Sequence, residues 1–206
     1  MVARPNAVLW LTLLLGLTLG GVGAGRLLAM PPTPQIGTVP AVHTGPDTAS
    51  ARAEPSASEA EPSRVVLPTV GVDAAVRPES VQPDGQLAVP DDPHVVGWWA
   101  QGARPGSARG TVVLAGHVDT ARDGAGALFH LGRLEPGAAV VLKTASGSLT
   151  YVVQAVRSYP KAALPVEVFD RSGAPRLVLI TCGGSFDRRT RHYADNIVVY
   201  ALPYGL

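Results

Sequence analysis

A cysteine and a histidine are the residues of this chain best suited to chemistry, because each follows an apolar run. Cys182 comes after residues 177–181, and His117 comes after residues 111–116. A thiol with an ordinary pKa of about 8.5 is little ionised at neutral pH, and the thiolate is the nucleophile. A nearby imidazole can take the thiol proton and later protonate a leaving amine. If the fold brings them together, the pair predicts acyl transfer through a cysteine.

Each residue also has an ordinary structural interpretation. A lone cysteine is as often an inert, buried apolar side chain as a reactive one, and His117 has an even chance of being structural. One cysteine with scattered histidines lacks the ligand spacing of a zinc site, so no metal is expected. Sequence alone leaves Cys182 and His117 as candidates that only the fold can unite.

Positive charge follows the cysteine closely. Arg188, Arg189 and Arg191 all lie within nine residues of Cys182. A guanidinium directed at the reacting carbonyl can stabilise the developing oxyanion and favour the thiolate. A solvated basic loop is the alternative for any one of these arginines.

The segments that must position these groups are short and β-rich. The aliphatic run at 177–180 and the run at 111–115 indicate strands that are buried on both faces. Residues 65–76 predict one bent edge strand, interrupted by Pro68 and Gly71. Residues 138–144 and 149–158 predict a hairpin, and the glycines after Cys182 predict a sharp exit from its strand. Seven or eight short strands with little helix predict an all-β fold, either a barrel or a sandwich.

Composition divides the chain into three parts. Residues 64–206 predict one folded domain, whereas residues 30–63 are rich in Pro, Ala, Ser and Thr and predict a disordered linker. The chain has 206 residues, 46% of them hydrophobic, and a net charge of +1, which offers no electrostatic case for nucleic-acid binding. With a single cysteine there is no intramolecular disulfide framework.

The first 29 residues predict a membrane anchor or a signal segment. No charged residue lies between Arg4 and Arg26, and this uncharged stretch is about long enough to cross a bilayer as a helix. A cleaved signal peptide is the rival interpretation. Arg4 favours an inside N-terminus, so the sequence predicts a single-pass membrane protein with its folded domain outside the cell.

Several motifs together resemble the sortase family over roughly residues 64–206. The strongest are the Leu-Ala-Gly-His at 114–117 and the Leu-Ile-Thr-Cys at 179–182. Details that resemble the actinobacterial class F branch are the Val-Gly-Val-Asp at 70–73, the Cys-Gly-Gly-Ser-Phe-Asp at 182–187 and the His-Tyr-Ala-Asp-Asn at 192–196.

The resemblance implies an eight-stranded sortase-like β-barrel with short helical turns and the activity of a cysteine transpeptidase. Cys182 would attack between Thr and Gly of an LPXTG-like sorting signal, and His117 would protonate the departing amine. The acyl-thioester would pass to a cell-wall amine or to water. Thr181 is expected to contact substrate, and no cofactor is expected.

The catalytic arginine is where the chain departs from the family pattern. Aligning the last strand places Asn196 where many sortases have their arginine, and the alternative class F position is Ala194. Arg191 stands where relatives more often have glycine. We therefore expect Arg191 to reach back over the loop and stabilise the oxyanion, with Arg188 as the second choice.

Other functions make different predictions. L,D-transpeptidases usually place a histidine just before the cysteine, and NlpC/P60 peptidases place the cysteine before the histidine; neither order occurs here. A membrane-anchored, non-enzymatic β-barrel binding module with an inert buried thiol remains open at this point.

Overall fold

A computed structural model describes residues 34–41, 59–81 and 87–205. All of these residues lie in one compact unit that spans 31–206. The expected membrane segment at 1–29 lies outside the described residues. Within the described ranges, no helix is long and apolar enough to cross a membrane.

The described part of the chain forms strands and short 3-10 turns. The strands are β1 Gln35–Gly37, β2 Pro62–Leu67, β3 Val72–Glu79, β4 Val96–Trp99, β5 Thr111–Ala115, β6 Asp119–Thr120, β7 Gly124–Ala125, β8 Ala139–Thr144, β9 Gly147–Pro160, β10 Arg176–Asp187 and β11 His192–Pro203. The 3-10 turns are Pro68–Val70, Leu131–Arg133, Lys161–Ala163 and Val166–Phe169. The expectation of an all-β fold with short helical turns is confirmed.

Eight strands close into a barrel. Their order is β9-β11-β10-β5-β4-β3-β2-β8, and β8 pairs again with β9 to complete the ring. Most neighbours are antiparallel, but β10 runs parallel to β5, and β3 runs parallel to β4. Closure gives each of these eight strands a neighbour on both sides for at least part of its length, so the fold is a barrel and not a sandwich.

Strands β5 and β10 are buried on both faces, as their continuous apolar runs predict. Leu114 and Leu179 point into the core cluster inside the barrel, which also contains Trp98. Val113 and Val178 point the other way, into a second cluster that covers the outside of these strands. Both strands are therefore held rigidly from two sides up to the points where the candidate functional residues follow.

Two strand predictions were wrong in detail. Residues 65–76 form two antiparallel strands, β2 and β3, because Pro68 begins a 3-10 turn and Gly71 takes a left-handed φ of 70°. The cysteine strand does not end at its glycines. It continues to Asp187 and forms a hairpin with β11, with a register irregularity between Gly183 and Phe186.

The expected disordered linker contains an ordered strand. β1 pairs with β9 beyond the end of β8, and the Arg157 guanidinium donates to the carbonyls of Ile36 and Gly37. Gly37 has a φ of 82°, and a Cβ there would lie 2.0 Å from the carbonyl oxygen of Gln154. β9 leaves backbone groups unpaired beyond β8, and a three-residue strand can occupy them despite its Pro-rich surroundings. Residues 42–58 lie outside the described ranges, and the linker boundary there stays a prediction.

Candidate active site

The parallel pairing of β5 and β10 brings the two candidate residues together. Arg176 lies beside Thr111 and Ile180 beside Ala115, a constant offset that also relates Cys182 to His117. Because both strands run the same way, their carboxyl ends meet at one rim of the barrel. The rim therefore carries both Cys182 and His117, and both residues line the same cavity.

Thr181 ties the two strands at this point. Its hydroxyl donates to the Gly116 carbonyl at 2.8 Å, and the residue is only 4% exposed. Gly116 in turn donates its N–H to the carbonyl of Ile180. These bonds fix the backbone one residue before both Cys182 and His117. The contact of Thr181 with substrate stays a prediction.

The His117 ring is oriented by a backbone carbonyl. Its Nε2 lies 3.0 Å from the oxygen of Pro90. A carbonyl can only accept, so in the neutral ring Nε2 carries the proton of this bond and Nδ1 is left as the acceptor nitrogen. The backbone is held as well, because Leu128 donates to the His117 carbonyl and a Cβ on Gly126 would lie 2.5 Å from that same oxygen.

Two cavities meet at Cys182. The first has a volume of about 580 Å³ and is rich in polar and charged side chains. The second has a volume of about 540 Å³ and is mostly apolar. Both expose more apolar than polar surface, and we call them the polar cavity and the apolar groove after the types of residue that line them. The polar cavity is lined by His117, Val118, Asp119, Thr120, Ala121, Lys161, Cys182, Phe186, Arg191, His192 and Tyr193. The apolar groove is lined by Leu87, Val89, Ala115, Gly116, Lys161, Ala162, Leu164, Phe169, Ile180, Thr181, Cys182 and Asn196.

One wall of the polar cavity is held by a hydrogen bond between β6 and β11. The Tyr193 hydroxyl donates to Oδ2 of Asp119 at 2.7 Å, and the Tyr193 ring packs against Phe186 with centroids 5.0 Å apart. This bond to a carboxylate, together with partial burial, raises the pKa of Tyr193 to about 12. Asp119 is thus oriented by Tyr193 while it faces the cavity.

Among the three arginines after Cys182, Arg191 lines the polar cavity and the other two do not. Arg191 has a φ of 59°, in the left-handed region that non-glycine residues seldom occupy. Its N–H donates to the Asp187 carbonyl at 2.7 Å. The Asp187 carboxylate accepts the N–H groups of Arg189 and Thr190, and the bond from Arg189 is the main reason that its pKa lies below the ordinary range. The turn therefore holds Arg191 at the cavity at some cost in backbone strain.

The structure also places two residues at the site that sequence reasoning did not select. Asn196 pairs directly opposite Cys182 across β10 and β11, and it lines the apolar groove. Lys161 follows the end of β9 and borders both cavities. Nothing in the sequence around Lys161 signals a role, because its place depends on where β9 ends relative to β11.

Comparison with known families agrees with this geometry. A family model of the sortase domain matches residues 65–204. The chain therefore belongs to the sortase family, which makes it an enzyme of the cysteine transpeptidase class.

Solved sortases share the fold at low sequence identity. Sortase A from Corynebacterium diphtheriae superposes with a TM-score of 0.54 at 17% identity, over 75% of this chain and 64% of that chain. A lid mutant of the same enzyme gives a TM-score of 0.56 at 16% identity, and the match covers 75% of this chain and 74% of that chain. Sortase C1 from Streptococcus agalactiae gives a TM-score of 0.55 at 13% identity, and the match covers 70% of this chain and 67% of that chain. A comparison with curated protein sequences finds no match.

Proposed function

We propose that this protein cleaves an LPXTG-like sorting signal between Thr and Gly and transfers the acyl chain to a cell-wall amine or to water. The observation that carries the proposal is the meeting of Cys182 and His117 at one barrel rim, with a separate cavity on each side. That arrangement suits a transpeptidase, since one acyl donor and one acceptor must reach the same thiol.

The apolar groove suits the donor peptide. Its walls include Val89, Leu164, Phe169 and Ile180, which favour burial of the Leu and Pro side chains of a sorting signal. The groove leads to Cys182, so a peptide lying in it presents a carbonyl to the thiol. The polar cavity on the other side is open to an incoming amine.

In the first half of the reaction, the thiolate of Cys182 forms a bond to the carbonyl carbon, and the carbonyl π electrons move to oxygen. The C–N bond then breaks, and the amine nitrogen leaves with its electron pair and a proton from His117. In the second half, His117 takes a proton from the acceptor, which attacks the thioester and releases Cys182. Arg191 is proposed to stabilise the oxyanion, and Thr181 to contact the donor.

We further propose membership of the class F branch and a single-pass location in the cell membrane, with the catalytic domain outside the cell. The branch is supported by the resemblance of residues 70–73, 182–187 and 192–196 to class F motifs. The location is supported by the uncharged segment between Arg4 and Arg26.

The deciding experiment is mass spectrometry of the full-length chain after incubation with an LPXTG-containing peptide. We expect an acyl adduct on Cys182 and cleavage after Thr, both absent in the Cys182→Ala variant. His117→Ala should lower turnover by about 10²- to 10⁴-fold, because a general acid and base is lost. The full chain is needed because a piece beginning at Arg64 would lack β1 and the start of β2. If no adduct forms over a series of sorting motifs and Cys182 resists alkylation in the folded state, the proposal fails and a non-enzymatic binding module is favoured.

A further inference from the structure

The ends of three neighbouring strands place Lys161 beside the two cavities that meet at Cys182. In the order β9-β11-β10, Asn196 of β11 lies opposite Cys182 on one side and Tyr159 on the other. The chain then leaves β9 after Pro160, and Lys161 begins the following 3-10 turn. Its backbone is thus about two strand spacings, roughly 10 Å, from the strand of the thiol. A lysine carries its ammonium on a flexible four-carbon stem that extends toward such a target.

Lys161 shares one property with Cys182 alone. Among the residues that the structure describes, only these two line both the polar cavity and the apolar groove. Arg191 lines the polar cavity only, and Asn196 lines the groove only. The lysine therefore stands at the junction where donor, thiol and acceptor must meet.

The charge of Lys161 is not neutralised by an ion pair in the described part of the chain. The nearest acidic position in the strand register is Asp195, opposite Pro160. Its Oδ2 accepts a bond from the Ser158 hydroxyl at 3.1 Å, and its carboxylate packs against Gly184. An exposed ammonium without such a partner can turn toward negative charge that develops at Cys182.

We propose that Lys161 is a catalytic cation of this enzyme, which stabilises the thiolate of Cys182 and then the oxyanion formed from the donor carbonyl. When the Sγ–C bond forms, the carbonyl π pair becomes a full negative charge on oxygen, and the lysine ammonium donates a hydrogen bond to it. When the C–N bond breaks, that pair re-forms the carbonyl and the charge disappears. The ammonium keeps its protons throughout, and His117 alone transfers a proton.

The residue that pairs opposite Cys182 on β11 is Asn196, which is uncharged. A cation that enters from the end of β9 adds positive charge on the groove side of Cys182, and it would act together with Arg191, which lines the polar cavity. The oxyanion role of Lys161 rests on the proposed acyl transfer, whereas its effect on the thiolate does not.

The test compares three variants of the full-length chain. Lys161→Met removes the charge with little change in shape, Lys161→Arg keeps the charge, and Lys143→Met changes the other lysine, which lies exposed on β8. With an LPXTG-containing peptide, we expect Lys161→Met to lower kcat by about 10²-fold with little change in KM. Lys161→Arg should recover most of that loss, and Lys143→Met should match the parent.

A second readout needs no sorting substrate. The rate of Cys182 alkylation by iodoacetamide, a neutral reagent, should fall several-fold at neutral pH in Lys161→Met and remain near normal in Lys161→Arg. Slower alkylation supports the cation role even if the peptide is not the correct donor. Unchanged alkylation and kcat in Lys161→Met would overturn the inference. So would a loss confined to KM, or an arginine variant as slow as the methionine one.

Discussion

The two cavities beside Cys182 differ in chemistry although they share the same thiol. The apolar groove is bounded by side chains from β5, β10 and the turns that follow β9, and its walls are mainly aliphatic and aromatic. The polar cavity is bounded by residues after β5 and by the β10–β11 hairpin, and it presents imidazole, carboxylate, phenol and guanidinium groups. An apolar wall favours a bound peptide side chain, whereas a polar wall suits an amine that must exchange protons. This difference supports the proposed assignment of the donor to the apolar groove and the acceptor to the polar cavity.

Among the substitutions that test how the two cavities differ, we expect the largest loss of activity for Arg191. Arg191→Ala should lower kcat by about 10²-fold if the guanidinium stabilises the oxyanion. Arg191→Gly should lose as much, although glycine relaxes the left-handed backbone at this position. Steady-state kinetics with varied donor and acceptor would measure both.

Two controls separate charge from backbone in that experiment. Arg191→Lys should keep part of the activity, and Arg189→Ala, in the same turn but outside both cavity linings, should behave like the parent. If Arg191→Ala changed only the KM for the acceptor, Arg191 would be assigned to acceptor binding and not to stabilisation of the oxyanion.

A matched pair of alanines tests which cavity takes which substrate. Ala162 lines the apolar groove, Ala121 lines the polar cavity, and both are exposed. Ala162→Phe should raise the donor KM by about tenfold and leave the acceptor KM unchanged, because the new ring occupies the groove. Ala121→Phe should do the reverse. Kinetics with each substrate varied in turn would measure this, and an interchange of the two effects would reverse the assignment.

The smallest effect concerns the Asp119–Tyr193 bond in the wall of the polar cavity. Asp119→Asn should lower the pKa of Tyr193 from about 12 toward its ordinary value near 10. NMR titration of ¹³C-labelled tyrosine rings would measure this change. The pKa of Tyr193 is higher in the folded state than in the unfolded state. Its protonated hydroxyl therefore stabilises the fold fully below about pH 10, and this contribution is lost as the pH rises through about 12.

Tyr151 provides an internal control for that titration. Burial inside the barrel raises its pKa to about 12, with no carboxylate involved. Its pKa should stay unchanged in Asp119→Asn. If the pKa of Tyr193 also stayed at about 12, partial burial and not the Asp119 bond would be its cause.

The local sequence predicted much of this barrel because burial leaves a clear pattern. The continuous aliphatic runs before His117 and Cys182 predicted strands covered on both faces, and both clusters of the core contain them. The hairpin of β8 and β9 was also predicted, since its two strands and its turn are contiguous in the chain. The ordered β1 was not, because its pairing depends on free backbone groups of β9 more than a hundred residues away.

The candidate active site also depends on pairing between distant segments, which the local sequence does not reveal. The reactive residue types can be read from the chain, since a lone cysteine and a histidine each come after a predicted apolar strand. The fold was needed to show that those strands are parallel neighbours in register, and that the end of β9 places Lys161 at both cavities. The physical reason is that strand pairing is set by hydrogen bonds and packing between segments far apart in the chain. Residue type therefore indicated the chemistry, and the pairing of distant strands selected the groups that lie at one rim.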